Sequence, residues 1–159
     1  MSFCSVNETS KFGYNDCIIV KSEIREDGIK FELEALIVRA NNSQNTNYTD
    51  SYAGETCCYM KNGKIKSFVK AGYKYYDAND NLIEEKPDEE LKLTNKEAEA
   101  LLTEIYMSEL EKNDDGTYTV VAEVISEDIS ENVDVYIITI ECDEVEMTWE
   151  HYMNRVQNN

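Results

Sequence analysis

Three glutamates, Glu97, Glu104 and Glu111, recur at a seven-residue spacing in the C-terminal half of this chain. On a helix, that period places them on nearly one line. Carboxylates lined up on a rigid support imitate a row of phosphates and speed the encounter with a basic protein. Asp114 and Asp115 are the next candidate contacts. Tyr106, Tyr118, Tyr136 and Trp149 are the aromatic side chains that would anchor such an interface among the acids.

Other constellations carry less chemistry. His151 is the single histidine, and Cys142 lies near it in sequence. A Cys/His nucleophile needs contact between the two and an orienting third group. A buried strand cysteine and a surface histidine account for the same residues. Asp77, Asn79 and Asn81 match the first three side-chain positions of a calcium loop. Leu82 then stands where glycine makes the sharp turn, and Asp88, after Pro87, replaces the bidentate glutamate. A polar hairpin turn is the better reading, and no metal site is expected. Cys57 and Cys58 are adjacent, so on a strand they point to opposite faces. Five cysteines, an odd number, fit neither a disulfide framework nor a zinc motif. No phosphate-binding loop, nucleophile elbow or H-E-x-x-H pattern occurs, and no cofactor is implied.

Between Thr56 and Tyr76 there is no acid, only Lys61, Lys64, Lys66, Lys70 and Lys74, interleaved with Tyr59, Phe68, Tyr73, Tyr75 and Tyr76. Lysines and aromatics on a sheet can neutralise and stack on nucleic acid. They can equally pair with the protein's own carboxylates or guard strand edges. The charge balance favours the second role, so direct nucleic-acid binding is not expected. Residues 1–80 hold ten basic and eleven acidic side chains; residues 81–159 hold five and twenty-two. The net charge of −18 therefore comes almost wholly from the second half. Solubility explains the sign of that charge but not its segregation, because crowded like charges cost stability.

These residues need a scaffold. At 159 residues and 42% apolar content, a single domain over 1–159 with a real core is expected. No apolar run reaches membrane-spanning length and no basic, apolar leader opens the chain, so a cytoplasmic protein with no membrane partner is expected. Cys17–Arg25, the turn Glu26-Asp27-Gly28 and Ile29–Ala35 read as a hairpin. The stretch 41–56 reads as a long polar loop. Asn62-Gly63 between 57–61 and 64–70 signals a second hairpin. Residues 73–76 and 82–83 around the turn 77–81 suggest a further strand pair.

Thr94 and Glu97 form a capping-box pair opening a long helix. Ala98, Leu101, Leu102, Ile105 and Leu110 fall on its inner face, with Glu97, Glu104, Ser108 and Glu111 outside. Residues 113–116 stop it. Strands over 117–125 and 133–142 and a short C-terminal helix from Thr148 to Val156 complete the reading. The expected class is α+β: an antiparallel sheet of about six strands with one long helix on one face. The function this implies is a non-enzymatic acidic protein that blocks a basic, nucleic-acid-cleaving effector, either as immunity to a bacterial toxin or as a phage anti-defence inhibitor of the anti-CRISPR type. The alternative is a small-molecule-binding module or enzyme with an aromatic pocket between sheet and helix.

Overall fold

A computed structural model describes residues 2–126 and 133–156. In chain order its strands begin with β1 (Phe3–Val6), β2 (Phe12–Gly13), β3 (Ile18–Arg25), β4 (Gly28–Glu34), β5 (Ile37–Val38) and β6 (Ser51–Ala53). Next come β7 (Thr56–Lys61), β8 (Lys64–Lys70), β9 (Tyr73–Tyr76), β10 (Leu82–Lys86) and β11 (Glu89–Glu90). The helix α1 (Asn95–Leu101) precedes β12 (Ile105–Lys112), β13 (Tyr118–Val124), β14 (Val135–Glu141), β15 (Glu144–Trp149) and β16 (Tyr152–Arg155).

Ten strands form one antiparallel sheet in the order β1-β15-β7-β4-β3-β12-β13-β14-β8-β11. Chain connectivity dictates its shape. β7 and β8 stand six places apart, about 29 Å in a flat sheet at the usual strand spacing. Yet only Asn62 and Gly63 join them, a link that reaches about 11 Å. β14 and β15 are likewise six places apart and joined by two residues, Cys142 and Asp143. The sheet must therefore roll over, bringing β15-β7-β4-β3 opposite β12-β13-β14-β8. The two links hold each other. The Asp143 N–H donates to the Lys61 carbonyl at 2.9 Å, and Asn62 Nδ2 donates to Asp143 Oδ2 at 2.7 Å. Inward-facing residues of both halves, among them Phe31, Leu33, Met60, Met147, Met107, Val120 and Ile138, fuse into one core. The roll turns at β3–β12, which pair only at Ile18–Ile19 with Ile105–Tyr106.

β2, β5, β6 and β16 form a second small sheet. Trp149, fully buried, lies against Phe12 and Tyr152, with ring centroids 5.9 and 6.0 Å away.

The α+β expectation is overturned. Among the described residues the fold is mostly β, with one seven-residue α-helix, a 3-10 turn at Thr9–Lys11 and no long helix packed on a sheet. The capping box is present: Glu97 N donates to Thr94 Oγ1 at 3.2 Å and Thr94 N to Glu97 Oε1 at 3.1 Å. But the helix ends at Leu101, and Glu104, at φ 52°, turns the chain into β12. A bulge between Met107 and Glu109 sets Leu110 three places after the preceding buried residue, Met107, which mimics helical spacing. The helix instead covers the edge of β3 where β12 has diverged. Ser22 Oγ donates to the Leu102 carbonyl, and Glu99 Oε1 accepts the Ile24 N–H at 2.7 Å.

Three further expectations change. The C-terminal helix over 148–156 is replaced by the end of β15 and by β16. Asn62-Gly63 turns, with Asn62 at φ 55°, but β7 pairs with β4 and β15, and β8 with β14 and β11. The loop 41–56 contains β6 and is tied down by asparagines. Asn45 Nδ2 alone donates to the carbonyls of Val38, Arg39 and Thr49, at 2.9 to 3.1 Å. The hairpin β3–β4 forms as read, turning at Gly28 (φ 144°). Among the described residues, no helix is long and apolar enough to cross a membrane.

Candidate functional site

The β12–β13 hairpin carries a run of outward carboxylates. Its outward rows follow from strand alternation and register. Tyr106 lies opposite Glu123, Glu109 opposite Val121 and Glu111 opposite Thr119. The rows continue onto β14 and β8 as Val121–Ile137–Val69 and Thr119–Thr139–Ser67. The result is a half-buried centre of valine, isoleucine and threonine with Glu109, Glu111, Glu123 and the exposed Tyr106 along one side. No lysine or arginine stands in the outward rows of β12 and β13; Lys112 falls in the inward phase at the strand end.

Glu109 and Glu111 crowd each other. The Glu109 carboxyl is pushed above the usual carboxylate range because it hydrogen-bonds the Glu111 carboxyl, with burial and repulsion adding to the effect. At the hairpin tip, Asp115 Oδ1 accepts from Thr117 Oγ1 at 2.6 Å and from Thr117 N at 3.0 Å, and these bonds hold its carboxyl below the usual range. Asp114 lies exposed beside it.

The residues expected to act together are thus divided. Tyr106, Glu111, Asp114 and Asp115 share the β12–β13 hairpin. Glu97 is occupied at the helix N-terminus, and its hydrogen bonds to Thr94 depress its carboxyl. Glu104 lies at the start of β12, roughly 30 Å along the strand from Asp114. The seven-residue line of Glu97, Glu104 and Glu111 does not exist, because the helix that would carry it stops after Leu101. Of the proposed aromatic anchors, Tyr118, Tyr136 and Trp149 are buried, leaving Tyr106. Glu109 and Glu123 were missed; period-two alternation over 105–112 and 118–124 is the signal that finds them.

The central lysines meet the protein's own acids. Lys66 pairs with Glu141 at 3.5 Å, Lys70 with Asp134 at 3.6 Å and Lys74 with Glu85 at 3.6 Å. All three partners come from the acidic half. The opposite outward face, on β3, β4, β7 and β15, mixes signs: Lys21 pairs with Glu23, and Lys30 lies over the Tyr59 ring. Interleaving of the strands thus pairs some basic side chains of the first half with acids of the second, while the outward rows of β12–β13 keep their carboxylates without a cation among them.

The nucleophile candidates separate. Cys142 and His151 flank opposite ends of β15. Burial pushes the Cys142 thiol up to about 11 and Cys17 to about 12. Burial, with nearby carboxylates such as Glu146, also raises Cys4 and Cys57, and buried Cys58 stands well above the usual range. Thiols held protonated are poor nucleophiles. Asp77 accepts from Asn79 N at 2.8 Å and Asn81 N at 3.0 Å, so these residues build the β9–β10 turn. No group of three metal-ligating side chains occurs among the described residues. A hollow of about 750 Å³ lies beside Tyr52 and His151 rather than between sheet and helix, and the Tyr52 hydroxyl is already bonded to Asp16 at 2.7 Å. No family model, curated protein or solved structure matches this chain.

Proposed function

We propose that this protein is a non-enzymatic acidic binder that occupies the cationic surface of a basic, nucleic-acid-cleaving protein and blocks it. The observation that carries this reading is the outward side of β12–β13. Glu109, Glu111 and Glu123 stand there without an intervening cation, beside Tyr106 and a half-buried Thr/Val/Ile face. Placing Glu109 against Glu111 costs stability. A use in recognition accounts for keeping that arrangement, and charge of this sign steers association with a cationic cleft. The mechanism is steric occlusion with carboxylates standing where phosphates would lie. Immunity against a bacterial nuclease toxin and phage inhibition of a nuclease defence both use that chemistry.

The test is functional. Purified basic nucleases, comprising a DNA-cleaving toxin domain, an RNA-cleaving toxin domain and an RNA-guided effector nuclease, are assayed with increasing amounts of the protein. The proposal expects near-stoichiometric loss of cleavage for at least one of them. Full cleavage by all three at excess protein would overturn it.

A further inference from the structure

We propose that the β9–β10 ribbon is the arm by which this protein grips its partner, with Tyr76, Leu82 and Ile83 entering an apolar hollow rimmed by basic groups. This rests on the reading of the chain as a binder of a basic protein, and it names the element and the side chains that the reading leaves open.

β9 and β10 bond only to each other and to no strand of either larger sheet. A free two-stranded hairpin is marginal in water, yet this one is built to hold its shape. Its root is pinched: a Cβ on Gly72 would lie 2.0 Å from the Lys86 carbonyl oxygen, and the Gly72 N–H donates to Asp88 Oδ1 at 2.7 Å. Its turn is set by the Asp77 carboxylate. One face is stiffened by the Tyr73–Tyr75 ring contact at 4.9 Å and by the Tyr73 hydroxyl donating to Glu84 at 3.1 Å. Lys74 and Glu85 pair on the other.

None of those contacts uses the apolar side chains beside the turn. Tyr76 lies directly opposite Leu82, and Ile83 occupies the bulge beside them. They are 55%, 49% and 67% exposed, the most exposed apolar grouping on any strand pair among the described residues. Exposed apolar groups gathered on a braced projection mark an interaction surface. The charge around them says what it meets. Residues 73–90 carry seven acids and two lysines, Lys74 and Lys86, with Lys74 already paired. A second copy, itself at −18, is repelled; a cationic rim around an apolar floor is the complement.

The experiment places the same three nucleases on biosensor tips and compares wild type with the triple variant Y76S/L82S/I83S. Melting temperature checks its fold, and I83S alone serves as a second variant if the triple variant unfolds. The arm proposal expects at least a tenfold loss of affinity for the bound nuclease, or at least threefold for I83S alone. The loss should appear as faster dissociation with the association rate little changed. Equal affinity of variant and wild type overturns the arm and leaves the inhibitor reading standing. Binding to none of the three overturns that reading and the arm with it. Sedimentation of wild type as a dimer that the variant disperses also overturns the arm, in favour of a second copy as occupant.

Discussion

Among single residues, Glu109 is the most informative. Its carboxyl titrates above the 4.5 of a free glutamate because it shares a hydrogen bond with Glu111. The folded state therefore holds that proton more tightly than the unfolded chain does. Stability linked to it is present at low pH and lost as pH rises through the folded value. Glu109→Gln removes the cost, so at pH 7 the variant should melt above wild type, and the gain should fade below about pH 4. A variant no more stable at pH 7, or a gain that persists in acid, would contradict the crowding. Residue types foretold Gly28, where Asp-Gly demanded a positive φ, and the Thr94–Glu97 pair. They could not foretell Glu104, a non-glycine residue in the left-handed region whose conformation tertiary contacts impose. Nor could they distinguish Tyr106, outside, from Tyr118 and Tyr136, inside, without strand phase.

Among the elements, the helix shows what local pattern hides. Residues 105–112 read Ile-Tyr-Met-Ser-Glu-Leu-Glu-Lys, rich in good helix formers. One bulge converts their period-two pattern into helical spacing. Pairing with β13 along the whole of β12 outweighs propensity. The short helix that remains works as an edge cover for β3. Thr94→Ala should therefore cost about 1 kcal/mol, the usual worth of such a cap. It should also speed amide exchange at Ile24, whose N–H is held by Glu99 on that helix. Unaltered exchange at Ile24 would show that the cap does not support the cover. Hairpins with local turns were legible: β3–β4 and β9–β10 formed where Asp-Gly and Asp77–Asn81 placed them. Asn62-Gly63 misled because the same turn chemistry also serves a link between strands that part. Which strand β7 meets is decided by distant residues of β4 and β15.

For the whole molecule, rolling of the sheet governs charge as well as core. It sets β15, with Glu144 and Glu146, beside β7, and β14, which ends at Glu141, beside lysine-bearing β8, so part of the contrast between the sequence halves is met by internal pairing. Carboxylates with no cation in their rows remain on the β12–β13 side, and the same chain forms the acidic arm β9–β10. That remainder was visible in composition but not in position, because position depended on a ten-strand order that only two-residue links and long-range pairing reveal. The central claim is that these remaining carboxylates steer capture of a cationic protein. The most direct measurement is the association rate with the nuclease that the protein inhibits, taken from low to high salt for wild type and for E109Q/E111Q/E123Q. The account predicts a steep fall with salt for wild type, and for the variant a rate at least tenfold slower at low salt with a much flatter salt dependence. Superimposable salt profiles for the two proteins would contradict it.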